Sequence, residues 1–304
     1  MSLGVLNNIS AIYAANNLNS TQASLQNTLT QLSSGSRINS GADDAAGLSL
    51  ANGLQANATA LTQSAANASE GVGLLQVADG ALSQVTSLLN RAVTLATEAS
   101  NGTLTTAQYS AADSEFQSIL NEINNIGATT TYNGKQVFGG SFDIFTGDGT
   151  VGGGFKDTVS FLGLTSAQVG DSTGSGGLVY TAGGGTATST LVYTPVATNS
   201  VNLSTDSLTS SANAQTALND VYKAIQDVAA ERGYTGSQIN TLNAVSNVES
   251  TEQENVTSAQ NAIQATDYAS ATSNLSKYEI LSQTGISALA QANSMQQLVT
   301  KLLQ

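Results

Sequence analysis

Residues 11–32 read AIYAANNLNSTQASLQNTLTQL, and their spacing decides the architecture. Apolar side chains recur at Ala11, Ala15, Leu18, Leu25, Leu29 and Leu32 in steps of four and three, with Gln22 as the polar member of the series. That alternation marks a coiled-coil seam, narrower than the stripe of an ordinary surface helix. The other end of the chain repeats it at Leu281, Gly285, Ala288, Ala292, Met295, Val299 and Leu302. Gly285, Ala288 and Ala292 are small enough to let two helices approach closely. N- and C-terminal helices can pair only if the chain doubles back. The expected product is an elongated antiparallel helical rod with both termini at one end. Such a rod has little core of its own, and exposed seams favour a polymer.

The spacing continues inward. Leu54, Ala58, Leu61, Ala65, Ala68, Val72 and Leu75 form one series. Around Asp79-Gly80 the frame shifts to Ala78, Leu82, Val85, Leu89, Ala92, Ala96 and Ala99, and Asn101-Gly102 is a stop signal. A further helix carries Ala112, Phe116, Ile119, Ile123 and Ile126 and ends near Gly127. Ala214, Leu218, Val221, Ile225 and Val228 resume the pattern late in the chain, and it continues more weakly through Leu242, Val245, Val256 and Ile263. Residues 130–204 differ, being rich in Gly and β-formers. Stretches 136–145 and 156–162 read as paired strands around the Gly-rich run 147–154. Residues 178–181 and 190–193 are short strand candidates, so 165–204 reads either as a small β-rich insertion or as an irregular Gly/Ser/Thr loop.

Composition excludes much chemistry. The 304 residues contain no Cys, no His, no Trp and one Pro. Disulfides, thiol nucleophiles, imidazole bases and His-dependent zinc sites are therefore absent, and neither a cofactor nor a metal is expected. Net charge is −13 with 8 basic residues, which disfavours nucleic acid and anionic membranes. Apolar runs are too short for a span of roughly 20 residues, and the first 40 residues lack the pattern of a cleavable signal. Charged residues make up 10% of the chain, against about 25% in ordinary soluble proteins. Depletion of charge suits a surface packed against copies of itself.

Residues 31–40 (QLSSGSRINS) and 43–47 (DDAAG) closely resemble the N-terminal signature of bacterial flagellins. Asp79-Gly80-Ala81-Leu82 ahead of Leu89, Arg91 and Leu95, the run YNGK at 132–135, and ISALAQAN at 286–293 fit the same family in the same order. The resemblance implies an inner-tube coiled coil, an outer helical rod domain with a β-hairpin, and termini that fold on assembly. It also implies a flagellar type III export apparatus, an export chaperone, and filament cap and hook-junction proteins as partners. Three departures stand out. Ser36 replaces an aliphatic residue, residues 231–236 (ERGYTG) place Gly233 and Gly236 where they would interrupt a late helix, and residues 295–304 lack the usual Pro-containing ending.

Asp43 and Asp44 are paired carboxylates, but they stand just ahead of Ala45-Ala46, where a helix can start. A capping role is preferred over acid/base or metal chemistry. Arg37, the one basic residue before Arg91, reads equally as a solvated charge or as a salt-bridge partner within or between subunits. Arg91, Leu95 and Glu115 match positions that the resemblance assigns to a surface read by an animal toll-like receptor. Val93 and Thr94 stand there in place of charge, so recognition is expected to be weak or absent, and axial packing between subunits is preferred. The Gly-rich run 147–154 lacks the Lys-Ser/Thr of a phosphate loop. Chance accounts for the Asn-x-Ser/Thr triplets in so Asn- and Thr-rich a chain.

The expected organisation is mainly α. Residues 1–43 and 256–304 form the two inner-tube coiled-coil halves, and 44–164 with 205–255 form the rod domain with its hairpin. Residues 165–204 are the variable outer insertion. The expected function is a non-enzymatic, extracellular filament subunit for swimming. Assembly is expected through Leu18, Leu25, Leu29, Leu32, Leu281, Ala288, Ala292, Met295, Val299 and Leu302. The alternatives are a flagellin-like hook–filament junction protein and a filament-displayed adhesin. A filament-borne zinc hydrolase is excluded by the missing His.

Overall fold

The computed structural model describes residues 8–147, 156–161, 163–167, 169, 178–181, 188–191 and 202–302, without the side chains of 178–181, 188–191, 296 and 298–302. It is mainly α. Long helices α1 (Ile9–Ser34), α2 (Ala45–Ser100), α3 (Thr106–Thr129), α4 (Ser211–Gln264) and α5 (Tyr268–Leu302) carry most of the chain. Short strands β1 (Thr131–Tyr132), β2 (Lys135–Gln136), β3 (Ser141–Phe145), β4 (Lys156–Ser160), β5 (Leu178–Thr181) and β6 (Thr188–Leu191) lie between α3 and α4. The chain divides into two compact units, Met1–Ala56 with Asn255–Gln304, and Asn57–Glu254.

The helices begin where polar side chains meet the free amides of a first turn. Asn8 Oδ1 accepts from Ala11 N at 3.0 Å for α1, and Asp44 Oδ1 from Gly47 N at 2.8 Å for α2. Gln108 Oε1 accepts from the Thr105 amide and hydroxyl at α3. Asp267 Oδ1 accepts from Ala269 N and Ser270 N at α5. α1 ends at Gly35, whose φ of 70° is left-handed and whose amide returns to Gln31 O.

The frame shift at Asp79-Gly80 lies inside α2, which runs unbroken from Ala45 to Ser100. Steps of three from Val72 to Leu75 to Ala78 are a stammer, which one helix absorbs by local overwinding. Helix continuity corrects one sequence expectation: Gly233 and Gly236 do not interrupt α4. Each costs about 1 kcal/mol against Ala, and the surrounding contacts offset that cost. Arg232 binds both carboxylate oxygens of Asp79 at 2.8 and 3.3 Å, and Thr235 and Gln238 are fully buried.

The core of the larger unit gathers Leu75, Ala78, Leu82, Val85, Leu89, Ala92, Ala96 and Ala99 of α2, Phe116, Ile119 and Ile123 of α3, and Ala214, Val221, Ala224 and Val228 of α4. α2 holds the one described stretch long and apolar enough to cross a membrane by composition, and 33% of that stretch is buried within the chain. β1 and β2 form a hairpin whose two turn residues, Asn133 (φ 49°) and Gly134 (φ 76°), have the paired positive φ of a type I′ turn. The expected strand over 136–145 is therefore two strands, parted at Gly139 and Gly140. β3 pairs antiparallel with β4, β4 with β5, and β5 with β6, giving a four-stranded sheet in which 178–181 and 188–191 are strands. The Gly-rich residues 148–154, 174–177 and 183–185, and most of 165–204, lie outside the described residues.

Candidate functional site

In the smaller unit α1 and α5 pair antiparallel. Asn8 Nδ2 donates to Ala292 O at 2.9 Å, Leu18 Cδ1 lies over Gly285, and Thr266 Oγ1 donates to Gln31 O. A Cβ on Gly285 would stand 3.3 Å from Leu18, so the small residue sets the helix spacing there.

Burial along the pair differs from the seam read off the sequence. On α1 the half-buried or buried residues are Ala11, Ala14, Ala15, Leu18, Thr21, Ser24, Leu25, Thr28, Gln31 and Leu32, while Gln22 and Leu29 are exposed. On α5, among the described side chains, they are Ala271, Leu275, Tyr278, Ser282, Gly285, Leu289, Ala292 and Ser294, while Leu281, Ala288 and Met295 are exposed. The facing stripe keeps the seven-residue repeat but uses a neighbouring position of it, Thr21 and Thr28 in place of Gln22 and Leu29 and Ser282 and Leu289 in place of Leu281 and Ala288. Thr21, Thr28 and Ser282 occupy the facing stripe, and a search for apolar residues passes over them. Each helix thus has an inner stripe used within the chain, and apolar side chains elsewhere on its circumference stay open. Ile9, Ile12 and Tyr13 of α1 and Ile280, Ile286 and Met295 of α5 are all more than half exposed. Val299 and Leu302 have side chains outside the described set.

The loop between α1 and α2 is zipped to the turn between α4 and α5. Arg37 N donates to Gln264 O at 2.7 Å and Thr266 N to Gly35 O at 3.0 Å. The Arg37 guanidinium donates to Ile263 O at 2.8 Å and stands 4.0 Å from Asp44 Oδ2, both within one chain. Asp44 caps α2. Asp43 instead accepts from the amides of Asn39 and Ser40 and from the Ser40 hydroxyl, closing the preceding turn. These bonds, that from the Ser40 amide first, hold the Asp43 carboxyl below its ordinary range. The backbone partners Gln264, Ile263 and Thr266 carry no sequence signal that would have named them.

In the larger unit Arg91 and Glu115 form an ion pair at 2.6 Å, both about half exposed. Leu95 does not join them and is corrected as a surface residue: it is 4% exposed, on the side of α2 that carries Ala92, Ala96 and Ala99. Among the described residues no cluster of three or more metal-ligating side chains occurs.

Comparison with known proteins adds the following. Residues 5–143 match the family described as bacterial flagellin N-terminal helical region, and residues 218–303 that described as bacterial flagellin C-terminal helical region. The sequence is 31% identical over 299 residues to a flagellin of Halalkalibacterium halodurans, covering 97% of this chain and 98% of that one. It is 35% identical over 181 residues to polar flagellin C of Vibrio parahaemolyticus, covering 59% of this chain but only 46% of that longer relative. A Vibrio parahaemolyticus structure assigned as a flagellar hook-associated protein matches 73% of this chain and all (100%) of its own, with a TM-score of 0.51 at 18% identity. That likeness concerns the fold alone.

Proposed function

The chain belongs to the bacterial flagellin family, and on that premise we propose that it is a structural subunit that polymerises into the extracellular flagellar filament and serves swimming motility. The observation that carries the mechanism is the set of open apolar side chains on α1 and α5 outside the stripe that pairs them. Full burial of one large aliphatic side chain contributes roughly 1.5–3 kcal/mol, so covering several at a growing end can drive addition. In this reading residues 1–43 and 256–304 form the inner tube, 44–164 and 205–255 the rod domain, and 165–204 the outer insertion. The assembly residues are Leu18, Leu25, Leu29, Leu32, Leu281, Ala288, Ala292, Met295, Val299 and Leu302. Leu29, Leu281, Ala288 and Met295 are exposed in the single chain, which supports assigning them to contacts between copies.

Further partners in this reading are a type III export apparatus, an export chaperone, a filament cap and hook-junction proteins. Arg91 and Glu115 serve axial packing, and recognition by a toll-like receptor is weak or absent. No catalytic role is proposed for a member of a structural family.

Purified chain, with and without seeds, tests the proposal by light scattering and negative-stain microscopy. Long filaments are expected from the full chain and none after deletion of residues 281–304. Short rings would move the assignment to a junction protein. A folded monomer under all conditions, indifferent to the deletion, would overturn the structural reading.

A further inference from the structure

Beneath the end of the β3–β4 ribbon, three elements of the larger unit meet through polar side chains. Ser64 of α2 donates its hydroxyl to Glu249 Oε1 of α4 and accepts the amide of Gly147, two residues past β3. Asp157 of β4 lies close enough for its charge to act on Glu249. Ser64, Asp157 and Glu249 are 1%, 4% and 5% exposed. Asp157 Oδ2 and Glu249 Oε2 are buried and make no hydrogen bond. Two such carboxyls in one core are costly when ionised.

Among the described residues no cation compensates them. From α4, Glu252 adds a second negative charge toward Glu249. From α2 the contributing group is the neutral Ser64. On β4, Lys156 is paired with Asp143 of β3, whose other oxygen takes the Thr158 hydroxyl. Successive side chains of a strand point to opposite faces, which turns Lys156 away from the face of Asp157. The five ion pairs found among the described residues are all partly solvated, so this node is unlike them.

We propose that Ser64, Glu249 and Asp157 form a proton-operated latch that holds the end of the β3–β4 ribbon against helices α2 and α4. With a proton on the node, the acids carry at most one charge, and Ser64 bridges Glu249 to the Gly147 amide. Removal of that proton sets Asp157 and Glu249, with Glu252 beside them, against one another in a poorly solvated site. The end of the ribbon is then the part free to move, because beyond the Ser64 bridge it is tied to α2 by the bond from Asn67 Nδ2 to Phe145 O, while Ile144 and Val159 hold the rest of the ribbon in the core. Burial first pushes the Glu249 carboxyl above its ordinary range, the hydrogen bond from Ser64 opposes it, the charges of Glu252 and then Asp157 add to it, and burial raises Asp157 in the same way. The sign follows: a raised folded-state value means stability fully present at low pH and lost as pH rises through that value. The latch is closed in acid and loosens toward alkaline pH, independently of the filament reading.

Hydrogen exchange on the monomeric full chain, corrected for intrinsic rates, tests this from about pH 5 to about pH 9. For wild type, protection of residues 145–147 and 156–158 falls by up to about tenfold per pH unit as the proton leaves. Core amides at 116–123 and 221–228 keep their protection. Glu249→Gln, neutral and of the same shape, abolishes the fall. Asp157→Asn moves it to higher pH or abolishes it, and circular dichroism confirms that each variant is folded. A flat wild-type profile, an unchanged slope in both variants, or a parallel loss in the core helices would overturn the proposal. So would recovery of protection at high pH on adding calcium alone, which would make the node a cation site instead.

Discussion

Replacing Leu29 and Leu281 together by Gln separates the open side chains from the pairing stripe. Gln has nearly the helix propensity of Leu, so α1 and α5 keep their local preference. The two leucines are 46% and 43% exposed in the single chain, leaving somewhat less than half of each side chain for a neighbour to cover. With roughly 1.5–3 kcal/mol for full burial, each change removes about 1 kcal/mol of assembly free energy and the pair about 2 kcal/mol. At 1.4 kcal/mol per factor of ten, the critical concentration for polymerisation rises about 30-fold. The assay is light scattering over a concentration series with seeds, with sedimentation of the polymer and circular dichroism of the monomer. Leu18→Gln is the contrasting variant, since Leu18 packs on Gly285 within the chain and its loss should lower monomer helicity as well. A critical concentration equal to wild type in the double variant, or a helicity loss matching that of Leu18→Gln, would refute the division between open side chains and pairing stripe.

Gly127→Ala places a Cβ 1.8 Å from the Leu164 carbonyl oxygen, a backbone atom. The gain in helix propensity of about 1 kcal/mol is then outweighed, and a net loss of about 1–2 kcal/mol is expected in urea denaturation. Gly233→Ala and Gly236→Ala meet nothing within 4 Å in α4. Each should stabilise the monomer by up to about 1 kcal/mol, and a fall in polymerisation despite that gain would show that a neighbour needs the space. Asp206 is pushed up to about 6 by burial first and then by Asp220, with Lys223 opposing. Its folded-state value is raised, so its stabilising effect is present in acid and is lost as pH rises through about 6. Asp206→Asn should therefore raise denaturation midpoints at alkaline pH, on the order of 1 kcal/mol after solvent screening, and leave them nearly unchanged in acid.

The helical ends were legible because the 4-3 spacing records which side chains must be apolar. Which stripe faces inward was not, because Thr21, Thr28 and Ser282 serve on the inner stripe while Leu29 and Leu281 stand outside it. Leu95 misled for a related reason: it lies one turn from the exposed Arg91 in sequence, yet it sits beside the buried Ala92, Ala96 and Ala99. The continuity of α4 was hidden by Gly233 and Gly236, whose local cost is outweighed by partners far away in sequence, such as Asp79 for Arg232. The Asn133-Gly134 turn was readable in principle as a two-residue hairpin signal. The bond from Ser64 to Glu249 spans 185 residues, and neither residue stands out in a chain so rich in Ser and acidic side chains.

The two units distribute burial in opposite ways, and that difference bears on why a polymer results. Nearly all buried apolar residues belong to the unit Asn57–Glu254, whose three packed helices close a core. In the other unit the buried apolar residues among those described are Ile38, Ala51 and Ala271, two of them alanines. Two paired helices with so little covered surface gain little over their conformational entropy. A neighbour that covers Ile9, Ile12, Tyr13, Ile280 and Ile286 adds the missing burial, so ordering of the ends and addition to the polymer become one step. More buried leucine between α1 and α5 would make a sturdier monomer and leave the open side chains less to contribute. Thr21, Thr28, Ser282 and Gly285 on the inner stripe keep the pair thin and close, and Ile9, Ile12, Tyr13, Ile280 and Ile286 are left to the outside, where another copy can cover them.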